Sequence, residues 1–170
     1  MQLLLGKLIA TVSDDQIRPM VLAQLAGREF DGIIIPENVI VLPKFGEYWN
    51  GEGGVLTGLL PNRGDDSLYA LITGPRIDDE ARNYEDVKKK AEEIEVDGHK
   101  DFRLPYRAEQ SLQMATIPEL FKTDDWYWSL ERPPANEFYA DAQYFSDGRQ
   151  DVFLTDDTCY GCAVRIKKIG

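Results

Sequence analysis

Between Trp126 and Ile169 the chain is interrupted by turn-forming residues at Arg132-Pro133-Pro134-Ala135-Asn136, at Ser146-Asp147-Gly148-Arg149 and at Asp156-Asp157-Thr158. No long helix fits between such breaks, but short strands do, because Pro, Gly and paired Asp favour tight turns. The intervening residues are rich in aromatic side chains, which suit a pleated, half-buried surface. Helices are therefore expected upstream. Residues 78–96 place Ala81, Tyr84, Val87, Ala91 and Ile94 on one stripe, with acids in the first turn and Asp97-Gly98 as the stop. A second helix is expected over 106–115, burying Ala108, Leu112 and Ala115. Pro105 forces the residue before it toward an extended conformation, which puts Leu104 in the core. The strand at 68–72 ends at Thr73-Gly74-Pro75, and the last strand, near 163–168, should return beside an early one. Strands on both sides of two helices define an α+β domain with short antiparallel strands.

The first 45 residues differ in character and read as a small strand-helix-strand arm for oligomerisation or docking. Residues 3–12 could form a strand, and Ser13-Asp14-Asp15-Gln16 reads as a capping box before Ile17, Met20, Val21 and Leu25. Alternatively the regular helix begins at Pro19, in the first-turn position that tolerates proline. Two β-branched strands follow, at 32–36 and 38–43. From Phe45 the chain turns glycine-rich, with Gly46, Gly51, Gly53, Gly54 and Gly58 close together. A phosphate-binding loop needs a lysine followed by Ser or Thr, whereas here Glu52 sits where phosphate would lie; tight turns between short strands are the better reading.

With 170 residues, 43% of them hydrophobic, the chain can bury a proper core without disulfides. Thirty acidic against nineteen basic residues give a net charge of −11, the wrong sign for gripping phosphate backbones, so direct nucleic-acid binding is not expected. A mean hydropathy of −0.38 and the lack of a long apolar run argue against a membrane span. The start of the chain lacks the basic and long apolar regions of a signal peptide, so synthesis in the cytosol is expected. Cys159 and Cys162 read as buried structural thiols, with a local disulfide or a shared metal site as the alternatives. His99, between Gly98 and Lys100, belongs to a turn, and Lys88-Lys89-Lys90 to a solvated helix face. No catalytic residues, metal ligands or cofactor are expected.

Several landmarks occur in a fixed order: a strand ending near Leu71-Ile72, a helix, and Asp101-Phe102-Arg103-Leu104-Pro105 with Glu109 on the next helix. Tyr127-Trp128-Ser129, Phe145-Ser146-Asp147-Gly148 and Ala163-Val164-Arg165 then follow. In this order they resemble the Lcl C-terminal domain family, a family of unknown function with a C-type-lectin-like fold. The stretch from Gly46 to Gly58 is similar to the segment preceding this domain in phage and prophage members. The resemblance covers about residues 46–169 and implies a C-type-lectin-like domain over 46–170. It implies a non-enzymatic phage or prophage binding protein, either virion-associated or acting in the host cytoplasm, whose ligand is a host or phage protein or a surface glycan. Calcium lectins of this fold carry Glu-Pro-Asn or Gln-Pro-Asp and Trp-Asn-Asp strings, which are missing here, so no calcium site is implied. Formylglycine-generating enzymes share the fold, but their copper-binding cysteines are spaced more widely than Cys159 and Cys162, and no enzymatic activity carries over.

Residues 124–160 hold nine aromatic side chains. Residues 124–157 carry nine acids against Arg132 and Arg149, which is seven of the eleven net negative charges. On short strands alternate side chains face opposite ways, so half of these aromatics should be exposed among the acids, as recognition surfaces require. Trp126, Trp128, Glu131, Asn136, Tyr139, Asp141 and Tyr144 are the expected ligand-binding residues. A second class of function follows from charge alone: an acidic, phage-encoded counter-defence inhibitor that presents carboxylates in place of phosphates to a host nucleic-acid-binding complex.

Overall fold

The computed structural model describes residues 2–5, 8–11, 40–61, 67–77, 79–134 and 136–169. The chain divides into two compact units, residues 1–44 with 169–170 and residues 45–168. In the first, β1 (Gln2–Leu5) pairs antiparallel with both β2 (Leu8–Thr11) and β3 (Ile40–Leu42). The single strand expected over 3–12 is therefore two short strands that satisfy each other's backbone groups. β3 occupies only the middle of the strand expected over 38–43. The helix expected after Ser13 or from Pro19, and the strand expected over 32–36, lie outside the described residues.

The second unit runs β4 (Tyr48–Trp49), β5 (Gly54–Pro61), β6 (Leu68–Arg76), α1 (Tyr84–Glu92), α2 (Arg107–Thr116), a 3-10 turn (Pro118–Leu120), β7 (Trp126–Trp128), β8 (Tyr139–Tyr144), β9 (Gln150–Leu154) and β10 (Cys162–Ile169). Its strands form a sheet of order β10-β6-β5-β4 and an antiparallel sheet of order β7-β8-β9. With two α-helices among its described residues and antiparallel pairing in both sheets, the unit is α+β. None of the described helices is long and apolar enough to cross a membrane.

The glycine-rich segment does make tight turns. Gly51 and Gly53, with φ of 80° and 76°, reverse the chain between β4 and β5. At Gly54 the need is space, since a Cβ there would lie 2.3 Å from the Thr73 carbonyl oxygen. Thr73-Gly74-Pro75 does not end β6, which runs to Arg76. Pairing with β5 stops at Val55 and Thr73, so Pro75 lies beyond that ladder and its missing N–H breaks no bond to β5.

The first helix is shorter than the expected 78–96. Arg82 exchanges backbone hydrogen bonds with Cys159 at 2.9 and 3.0 Å, which holds the chain extended up to the N-cap Asn83. The Asn83 side chain then accepts the Asp86 N–H at 3.0 Å, and Tyr84, Val87 and Ala91 face the core as the stripe required. Asp97-Gly98 is not a helix stop. With φ of 51° and 81° these residues form a two-residue reversal between Val96 and His99, which exchange backbone hydrogen bonds.

The second helix begins one residue later than expected, and its buried face is a correction. Ala108 and Ala115 are exposed and Leu112 is half-buried; Glu109, Gln110 and Gln113 are the buried residues. Turning the alanines inward would bury little apolar area, whereas the polar face meets specific partners. Gln110 donates to the carbonyls of Tyr127 and Trp128 at 3.0 and 3.1 Å, and Gln113 donates to Thr73 Oγ1 at 2.9 Å. Leu104, fully buried, joins Tyr84, Phe102, Trp128 and Ala163 in the main core cluster. A second cluster stacks Phe121 on Phe145 with ring centroids 4.2 Å apart, beside Tyr127 and Cys162.

Candidate functional site

The register of β7-β8-β9 sorts the expected binding residues onto two faces. Trp126 pairs with Tyr144, Trp128 with Ala142 and Ala140 with Phe153, so these share one face. On it Trp128 is fully buried, meets Tyr84 edge-on at 5.6 Å and donates its indole N–H to the Arg82 carbonyl at 2.9 Å. The expectation that Trp128 is exposed is thus corrected: α1 covers this end of the sheet. Trp126 and Tyr144 are half-buried at the other end, packed on each other at 5.2 Å, with Phe153 4.8 Å from Trp126. The Arg149 guanidinium lies over Trp126 and Tyr144 at 5.9 and 5.2 Å, so these rings already have a cation as partner.

Tyr139, Asp141, Val152 and Leu154 share the opposite face, with Tyr139 across from Leu154 and Asp141 across from Val152. α2 covers one end of it: Arg107 donates to Gln150 at 2.7 Å, and Gln150 donates to Gln143 at 2.7 Å. The other end is open. Val152 is 44% exposed and Leu154 46%; Phe138, 66% exposed, lies in the turn ahead of β8, one residue out of step with Tyr139. The sequence reading missed Val152 and Leu154. Their signal was the run Val152-Phe153-Leu154, apolar on both faces of one strand; Phe153 turns inward, and nothing among the described residues covers the other two.

Three acidic or polar candidates flank this patch and have local tasks. Glu131 accepts the Arg107 N–H at 2.8 Å at the start of α2, and Asn136 Oδ1 accepts the Phe138 N–H at 3.1 Å, shaping the turn that presents Phe138. Asp141 is nearly buried, 3.5 Å from Arg107; desolvation raises its pKa, outweighing the Arg107 charge, and neighbouring Glu131 raises it further.

The edge of β9 is closed to strand addition. Thr155 N–H points to β8, where it meets the Phe138 carbonyl, so alternation turns the N–H groups of Val152 and Leu154 outward. Each is taken by a carboxylate, Asp151 at 2.8 Å and Asp157 at 3.0 Å. Carboxylates on an edge strand also repel an incoming backbone carbonyl.

Elsewhere, the charges around Arg165 and His99 are structural. Arg165, 6% exposed, is held by Asp101 at 2.9 Å and Glu52 at 2.8 Å. Burial alone would raise the pKa of Glu52, but Lys167 and Arg165 hold it below the usual carboxylate range. The His99 ring meets the Gly51 carbonyl at 2.9 Å, tying two turns together. Among the described residues no group of three His, Cys, Asp or Glu side chains could hold a metal ion.

Cys159 and Cys162 are free, buried thiols, and Cys162 donates to Gln113 Oε1 at 3.5 Å. Burial pushes both up to about 12 from the ordinary value of 9.0. A raised folded pKa contributes stability in full below the unfolded value, so this contribution is present below about pH 9 and is lost as pH rises toward 12. Iodoacetamide at about pH 8 should therefore label neither thiol in the native protein and both in denaturant, since the thiolate is the nucleophile. Rapid labelling of the native protein would contradict the burial described here.

The fold and face together define an α+β protein with an exposed apolar patch in an acidic setting. In comparisons with known proteins, the chain matches no family model and no curated protein.

Proposed function

We propose that this is a non-enzymatic binding protein, with a C-type-lectin-like domain over residues 46–170, that recognises a protein partner through the open face of β8 and β9. The carrying observation is the pair Val152 and Leu154 beside Tyr139, exposed in the stretch that holds seven of the eleven net negative charges. Aliphatic side chains do not stack on sugar rings, so Val152 and Leu154 favour a protein over a glycan. The surrounding acids, Glu137, Asp151, Asp156 and Asp157, are exposed and favour a partner surface that is basic around an apolar centre. The carboxylates on the β9 edge leave side-chain packing, rather than an added strand, as the mode of contact. The lectin-like reading is supported by the order of elements, by Leu104 in the core and by β10 lying next to β6. In this reading residues 1–45 serve as the oligomerisation or docking arm, and the setting is phage or prophage.

The test is affinity capture from bacterial lysate with wild type, Val152→Ser, Leu154→Ser and the amide triple Glu131→Gln/Asp151→Asn/Asp157→Asn, at low and moderate salt. The serine variants should each weaken capture of the wild-type partner by about 2 kcal/mol or more, with modest salt dependence. Loss only in the amide triple, with affinity falling steeply as salt rises, would replace this reading with charge-only mimicry of nucleic acid. Equal capture by all variants would reject the face itself.

A further inference from the structure

At the C-terminal end of β6, beyond its pairing with β5, lies a cleft of about 250 Å³ lined by Thr73–Arg76, Leu120, Phe121 and Cys162. An apolar cavity of about 150 Å³ is enough to hold benzene, so a ring bearing one small substituent fits here. The polar groups at its floor are already engaged. Thr73 Oγ1 lies 2.6 Å from Thr57 Oγ1 and accepts from Gln113, and the Cys162 thiol donates to Gln113. Leu120, Phe121 and Pro75 supply apolar wall.

The charge in the lining comes from Arg76. Its guanidinium is 3.6 Å from Asp79, whose side chain is 96% exposed, and so loosely held a surface partner is readily exchanged. Lys122, next in the chain to Phe121, brings a second cation within electrostatic reach of Arg76. Its Nζ is held by the Asp79 carbonyl at 3.2 Å and the Tyr160 hydroxyl at 2.8 Å. Asp79 beside Arg76 and Asp125 within reach of Lys122 balance these two cations, so the cleft mouth is locally near neutral in a chain of net charge −11.

We propose that this cleft binds a small aryl or short-chain alkyl carboxylate, its apolar body against Leu120 and Phe121 and its carboxylate on Arg76. Binding is non-covalent and independent of the β8 and β9 face.

Benzoate is titrated into the full chain and followed through backbone amide NMR shifts, with benzamide as the neutral isostere and with Arg76→Gln and Arg76→Lys variants. Saturable shifts should centre on Thr73–Arg76, Leu120 and Phe121. Benzamide and Arg76→Gln should each weaken binding about ten-fold or more, and Arg76→Lys should restore part of it. Arg76 is exposed, so these variants keep the fold, and matching spectra without benzoate verify this. The proposal is overturned by no saturable shift at about 20 mM benzoate. It is equally overturned by shifts centred elsewhere, by benzamide binding as well as benzoate, or by Arg76→Gln binding like wild type.

Discussion

Replacing Glu109 with alanine is expected to destabilise the protein by about 3 to 5 kcal/mol, a fall of roughly 10 °C in Tm. Glu109 is 1% exposed and receives two hydrogen bonds from Arg103, at 2.7 and 2.8 Å, and a third from the Tyr106 N–H at 2.8 Å. The Arg103 side chain is itself 23% exposed. Without Glu109 its guanidinium keeps the Leu104 carbonyl at 2.9 Å and the Tyr106 ring at 4.5 Å, but no counter-charge. The cost is that of a partly desolvated charge left unpaired, so it should shrink when the charge is removed as well. Urea unfolding of Glu109→Ala, Arg103→Met and the Arg103→Met/Glu109→Leu double variant measures this, and the double variant should be more stable than Glu109→Ala. A loss under about 1 kcal/mol in Glu109→Ala would mean that water reaches the pair and that it is an ordinary surface bridge.

Trp128→Ala should also cost about 3 to 5 kcal/mol, because the fully buried indole leaves a cavity beside Tyr84 that the surrounding sheet and helix cannot close. The Arg82 carbonyl loses its indole donor in addition. Trp128→Phe keeps much of the volume and should cost less, while Trp126→Ala, at a half-buried site, should be the mildest of the three. Thermal unfolding ranks them, and partner capture by the folded Trp128→Phe variant should equal that of wild type. A Trp128→Ala variant as stable as wild type would contradict the packing described here.

Much of the architecture was legible because it depends on local chemistry. Turn clusters placed the breaks between β7, β8, β9 and β10, and the stripe through Tyr84, Val87 and Ala91 faces inward. Pro105 put Leu104 in the core. The errors arose where a residue's behaviour depends on a distant neighbour. Arg82 reads as helical until Cys159 claims its backbone, and Asp97-Gly98 reads as a helix stop until Val96 and His99 pair across it. α2 shows the effect most clearly, since hydrophobic patterning chose Ala108, Leu112 and Ala115 over the three polar residues that are buried. Carbonyls of β7 and the Thr73 hydroxyl, invisible from the helix itself, make Gln110 and Gln113 the inward residues.

The candidate face divides in the same way. The amino-acid sequence by itself determined that residues 124–160 combine aromatic side chains with concentrated negative charge, because composition and charge are properties of the chain. Period-two alternation also required that they split between two faces. Which face is open was decided only by the tertiary structure. α1 closes over Trp128 on one side, while α2 stops short of Val152 and Leu154 on the other. Exposure depends on what packs across a strand, and those neighbours come from elements tens of residues away, so the run Val152-Phe153-Leu154 showed apolar residues on both faces of β9 without showing which face is left open.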